Sequence, residues 1–152
     1  MNESTARPAV PELTLQREFS HPVEAVFAAW TRSDALRRWM GPGEVCAPES
    51  EIDPRPGGRI IIPMVNPDGR VHTARGEILE IVPNRKLRFS WAWDQEDGSP
   101  GQRMEITLEF EPAGDGSRLT FRQVNFIDAE AREKHQEGWA ACLDKLARHL
   151  QG

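Results

Sequence analysis

The side chains best suited to chemistry lie near the C-terminus, in a segment with helical spacing. His135 and Trp139 are four residues apart and Cys142 follows three residues later, so the three share one face of a helix. A neutral imidazole on that face can hydrogen-bond a ligand carbonyl and can transfer a proton near neutral pH. A buried thiol away from cations is usually inert. His135 is therefore the candidate catalytic residue; the alternative is that it borders the core and bonds to a loop.

The rest of the sequence lacks the familiar signatures of an active site. It contains no Gly-x-Ser-x-Gly, no phosphate-binding glycine loop and no Cys-x-x-Cys. Its four histidines lack the close spacing of metal ligands, so we predict no metal site and no cofactor. A net charge of −5 argues against nucleic acid as a partner. Two distant cysteines, without a signal peptide or an apolar membrane span, predict a cytoplasmic protein with no membrane insertion.

Large apolar side chains alternate along two adjacent segments. Trp91 and Trp93 share one face of a predicted strand, and Met104 and Ile106 share one face of the next. If these faces are concave, they and the final helix enclose a cavity of the size usual for small-molecule sites. The alternative is that all five tryptophans serve the core. The predicted cavity residues are Trp39, Met40, Trp91, Trp93, Met104, Ile106, His135, Trp139 and Cys142.

The periodicity of the chain predicts a β-rich domain that ends in a helix. Residues 1–11 are predicted to be a flexible tail and residues 12–152 a single domain. Ser33 and Asp128 are predicted helix N-caps. The predicted strands are 13–19, 45–52, 59–65, 70–82, 87–94, 104–110 and 119–124, and the predicted helices are 22–30, 34–40 and 129–150. Short turns between consecutive strands indicate an antiparallel sheet, hence an α+β fold.

Landmark segments resemble those of a known family. They are Arg55-Pro56-Gly57-Gly58, Pro67-Asp68-Gly69 and Gly138-Trp139, and the chain around them is similar from Arg17 to Leu150. The chain resembles the activator of heat-shock protein 90 ATPase homologue-like family, within the START-like or SRPBCC superfamily. The resemblance implies a helix-grip fold, in which a seven-stranded antiparallel sheet wraps around a long C-terminal helix. It also implies two short helices between strands 1 and 2, and an apolar cavity between sheet and helix.

The residues and the resemblance together leave three hypotheses for function. The first is non-enzymatic binding of a small hydrophobic or amphipathic molecule, lipids included, in the cavity. The second is a cyclase-like or hydrolytic enzyme that uses His135. The third is an interaction protein associated with a chaperone. The family's namesake engages its chaperone through an additional N-terminal domain for which this chain has no room, so a chaperone partner is not expected, while a homodimer stays open.

Overall fold

The computed structural model describes residues 12–151, and the tail predicted for residues 1–11 lies outside them. The strands are β1 (Leu13–Phe19), β2 (Glu51–Ile52), β3 (Arg59–Val65), β4 (Val71–Val82), β5 (Lys86–Trp93), β6 (Met104–Ala113) and β7 (Gly116–Val124). The helices are α1 (Val23–Thr31), α2 (Ser33–Trp39) and α3 (Ala129–Leu150). The strands form one antiparallel sheet in the order β1-β7-β6-β5-β4-β3-β2. The predicted α+β helix-grip fold is confirmed.

Consecutive strands are neighbours in the sheet, except that β1 does not pair with β2. In the β3–β4 hairpin, Gly69 adopts a φ of 89° and its N–H donates to the Asn66 carbonyl at 2.9 Å. This is the turn that Pro67-Asp68-Gly69 predicts, because glycine tolerates positive φ. The first strand instead pairs with the last, with Leu13 opposite Gln123. Helices α1 and α2 connect β1 to β2, which lies at the opposite edge of the sheet.

The sheet is bent at β4, where two features favour a change of direction. The register with β5 shifts between Ile78 and Glu80, which marks a bulge. At Gly76 a Cβ would lie 1.7 Å from the Ser90 carbonyl oxygen, so only glycine allows the two strands to approach this closely. These features give the sheet the concave face against which the helices lie.

The core lies between this face of the sheet and the helices. Helix α3 packs against β1, α1 and α2. Its apolar stripe is buried at Trp139, Leu143 and Leu146. Asp128 caps the helix as predicted, since its carboxylate accepts a hydrogen bond from the Ala131 N–H at 2.8 Å. No helix within residues 12–151 combines the length and the apolar character needed to cross a membrane.

Two predictions about the α2–β2 region are wrong. The strand predicted over 45–52 is reduced to Glu51–Ile52, because the chain turns before it, with the Ser50 hydroxyl donating to the Ala47 carbonyl. Only Cys46 keeps a bridge to the sheet, at Val65. Ser33 does not cap α2; its hydroxyl bonds both backbone groups of Ile52, at 3.0 and 3.2 Å, and so ties the helix to the strand.

The cap of α3 can be tested by substitution. Asp128→Ala should lower the free energy of unfolding by about 1 kcal/mol, because the Ala131 N–H loses its acceptor. Asp128→Asn is the matched control, since asparagine caps a helix about as well. Chemical denaturation measures both variants; equal loss in the two would show that the cap geometry is not the cause.

Candidate functional site

A pocket of about 590 Å³ separates α3 from the β3–β5 side of the sheet and is open to solvent at one end. Helix α3 forms one wall, β5 and the β3–β4 hairpin form the other, and the loop before β2 closes a third side. From α3 the lining residues are Lys134, His135, Gly138, Trp139 and Cys142. From the sheet and the loop they are Pro42, Val45, Met64, Asn66, His72, Trp91, Trp93 and Asp94. The walls are chiefly apolar, and the charged side chains belong to Lys134 and Asp94.

Trp139 forms the inner end of the pocket and is fixed by its neighbours. Its ring centroid lies 4.7 Å from that of Phe121 and 5.2 Å from that of Trp91. Its indole N–H donates to Gln123 Oε1 at 2.9 Å. Gln123 is fully buried, and its amide nitrogen contacts Met104 Sδ at 3.3 Å. The glutamine therefore holds Trp139 against the sheet.

His135 connects the two walls. Its Nε2 accepts a hydrogen bond from the Trp93 indole N–H at 3.0 Å, and its Nδ1 lies 2.7 Å from the Ala131 carbonyl oxygen. This pattern requires the neutral tautomer with the proton on Nδ1. Burial lowers the pKa of His135 and so favours this neutral form, while the hydrogen bond to the Ala131 carbonyl acts in the opposite direction. Both ring nitrogens are thus engaged by the protein itself.

Cys142 faces the pocket as a protonated thiol. Burial raises the pKa of the Cys142 thiol from 9.0 to about 12, although the Gly41 backbone and the Lys145 charge both oppose the shift. The thiolate is the nucleophilic form of cysteine, so this side chain supplies apolar surface rather than reactivity.

Polar side chains surround the entrance of the pocket, and the loop before β2 is bonded to α3. Asp94 accepts from Arg75 Nε at 2.9 and 3.0 Å, which neutralises its charge beside the pocket. Lys134 Nζ lies 3.7 Å from Glu130 Oε2, and both side chains are mostly exposed. On the loop, the Val45 carbonyl accepts from Lys145 Nζ at 2.8 Å, which anchors the loop to α3.

The structure divides the predicted cavity residues into two groups. Trp91, Trp93, His135, Trp139 and Cys142 come together around the pocket. The other four are buried at 4% exposure or less and do not line it: Trp39, Met40, Met104 and Ile106. Trp39, for example, packs on Trp30 and donates to the Ala29 carbonyl at 3.0 Å. Within residues 12–151 no group of three His, Cys, Asp or Glu side chains could hold a metal ion.

Sequence reasoning missed Gln123 and Gly138. The signal for Gln123 was present, because it continues the buried alternation of Leu119 and Phe121 along β7. A polar residue in such a register indicates a buried hydrogen bond. Gly138 was noted only as part of a family landmark, yet it is a glycine within a long helix.

Comparisons with known proteins cover nearly the whole chain. A family model described as Activator of Hsp90 ATPase homolog 1-like protein matches residues 20–151. The AHSA1 protein from Silicibacter pomeroyi is 30% identical, over 93% of this chain and 98% of its own, with a TM-score of 0.85. A protein from Chromobacterium violaceum is 26% identical, over 93% and 97%, with a TM-score of 0.82. A protein from Rhizobium leguminosarum is 26% identical, over 97% and 99%, with a TM-score of 0.79. A comparison with curated proteins found no match.

The state of Cys142 predicts selective alkylation. In the folded protein at pH 7.5, iodoacetamide should modify the exposed Cys46, while Cys142 reacts far more slowly, because it is buried and its pKa is raised to about 12. Intact-mass spectrometry counts the adducts, and labelling in denaturant provides the control in which both thiols react. Two adducts formed at similar rates in the folded protein would contradict this assignment.

The lowered pKa of His135 predicts a pH dependence of stability. Such a group stabilises the folded state above its unfolded pKa, about 6.5, and this contribution is lost as the pH falls through the folded pKa. The free energy of unfolding should therefore decrease between pH 7 and pH 5, and less so in His135→Gln. His72→Gln, a change at an exposed imidazole, is the control and should follow the wild type. Parallel pH curves for wild type and His135→Gln would refute the interpretation.

Proposed function

The chain belongs to the family described as Activator of Hsp90 ATPase homolog 1-like protein, and we propose that it binds a small hydrophobic or amphipathic molecule in this pocket. The observation that supports the proposal is an indole-walled space of about 590 Å³ between α3 and the sheet. Small-molecule sites span roughly 300–1,000 Å³. The START-like fold is consistent with a ligand-binding domain.

The chemistry of the walls favours an apolar ligand with a polar end. Trp91, Trp93 and Trp139 offer large flat apolar surfaces, and removing such surface from water favours the binding of an apolar molecule. Polar groups are gathered at the entrance, where Lys134, His72 and Asn66 can meet a ligand head group that stays near solvent.

The state of the pocket side chains supports binding over catalysis. A general acid or base must present a free nitrogen or oxygen to its substrate. His135 has both nitrogens engaged, Asp94 is paired with Arg75, and Cys142 is a protonated thiol. In the arrangement that the structure shows, none of these three groups is free to act as a general acid or base. Activation of the Hsp90 ATPase, which the family description names, would depend on an external surface and draws no support from the pocket.

Binding can be measured with 8-anilinonaphthalene-1-sulfonate, an apolar fluorophore with an anionic group. We expect one molecule per chain, with fluorescence enhancement in a protein that still unfolds cooperatively. Cys142→Met should weaken this binding about tenfold, equivalent to 1.4 kcal/mol, because the longer side chain occupies the pocket. Cys46→Met makes the same change at an exposed position outside the pocket and should leave the affinity unchanged.

Two results would overturn the proposal. One is the absence of any saturable enhancement with the wild type. The other is equal affinity in Cys142→Met and Cys46→Met, since the fluorophore would then bind elsewhere on the molecule. Thermal unfolding of both variants shows whether either substitution has disturbed the fold.

A further inference from the structure

Gly138 occupies an unfavourable place for a glycine. It lies inside the 22-residue helix α3, where glycine costs roughly 1 kcal/mol relative to alanine. Nothing nearby demands its small size, because a Cβ built at Gly138 would meet only Pro42 Cγ, at 3.9 Å, which is an ordinary contact distance. The backbone of α3 would be more stable with almost any other residue here.

The remaining glycines of residues 12–151 have a backbone reason to be glycine. Each has a positive φ, or its Cβ would lie within 2.9 Å of a backbone atom. Those with positive φ are Gly41, Gly43, Gly57, Gly69, Gly98 and Gly114, and those in close contact are Gly58, Gly76, Gly101 and Gly116. Gly138 is the exception within the described part of the chain, and it is the one that lines the pocket.

One of the tryptophans that line the pocket carries a buried hydrogen-bond donor without an acceptor among the described residues. The indole N–H groups of Trp39, Trp93 and Trp139 donate to Ala29, His135 and Gln123. Those of Trp30 and Trp91 are buried and have no partner among the described residues. A buried donor without an acceptor costs about 1–3 kcal/mol, so its retention needs a reason. Trp91 lines the pocket, whereas Trp30 does not.

We propose that Gly138 sets the size of ligand that the pocket admits and that Trp91 Nε1 donates to a single hydrogen-bond acceptor on that ligand. The ligand is an apolar molecule with one carbonyl or ether oxygen, and its body lies against the backbone of α3 at Gly138. This inference rests on the proposed function and adds to it the two residues that determine specificity.

Access to the Trp91 donor depends on Trp93. Trp91 is 1% exposed, and the partly exposed ring of Trp93 packs edge-on against it with centroids 5.6 Å apart. Trp93 is tied to α3 by its hydrogen bond to His135. Because Trp91 Nε1 is itself buried, the proposal requires the Trp93 ring to shift as the acceptor enters, which releases its hydrogen bond to His135.

The donor is tested with two ligands of similar planar shape, 2-acetylnaphthalene and 2-isopropenylnaphthalene, of which only the first carries a carbonyl acceptor. The wild type should bind the ketone about tenfold more tightly, and Trp91→Phe should abolish this difference. Trp30→Phe removes the other unpaired indole N–H, away from the pocket, and should preserve the preference. Equal affinities of the two ligands for the wild type would overturn the role of Trp91.

The size limit is tested at Gly138. Gly138→Ala should raise the midpoint of thermal unfolding by about 2–4 °C, because alanine favours the helix, while binding of both naphthalenes weakens. Gly138→Leu should remove detectable binding. Glu137→Ala, at the adjacent exposed position, should leave both affinities unchanged. If Gly138→Ala is stabilised but binds as tightly as the wild type, the size limit is refuted.

These results separate the inference from the function on which it rests. If the anionic fluorophore binds in the pocket but the two naphthalenes bind equally and tolerate Gly138→Leu, the specificity assignment fails alone. If neither the fluorophore nor the naphthalenes bind the wild type, the proposed function and the inference both fail.

Discussion

The hydrogen bond between Trp139 and Gln123 is the constraint on which the site depends. The bond, 2.9 Å from Trp139 Nε1 to Gln123 Oε1, holds α3 against β7. The Trp139 ring packs there on Trp30, Phe121 and Trp91. At the edge of the same contact, Arg17 of β1 pairs with Asp144 of α3 at 2.6 Å. Both anchors lie on the β1–β7 side of the sheet. The helix is therefore packed tightly on one side, whereas toward β5 it is linked by the Trp91–Trp139 ring contact and the Trp93–His135 hydrogen bond, with the pocket beside them.

The pocket is the space that this asymmetry leaves. The bend at Gly76 and the bulge after Ile78 carry the far strands around the helix without bringing them against it. One hydrogen bond, from Trp93 to His135, spans the space between β5 and α3. The Trp91–Trp139 ring contact closes the inner end of this space, and the Lys145 bond to the Val45 carbonyl ties the loop to α3.

The sequence predicted the fold well because its information is local. Alternation along β5 and β6, the Asn66–Gly69 turn and the Asp128 cap each specify an element from a few residues. The lining of the pocket was less predictable, since it depends on which part of the concave face α3 covers. Met104 and Ile106 share the inward face with Trp91, yet they lie under the anchored side and are core. The parity of a strand gives the face of the sheet but not the position across it.

The pairing of β1 with β7 bears on how the protein acquires this shape. Leu13 and Gln123 are brought together across most of the chain, so the sheet cannot close until the last strand is available. Pairings of such long sequence separation slow folding, because the loop entropy is lost before the contacts form. During synthesis β1 emerges first, and its backbone hydrogen-bond groups lack their partners until β7 has been made. The residue that fixes Trp139 lies on that partner strand, so the pocket takes its shape only once β7 is in place.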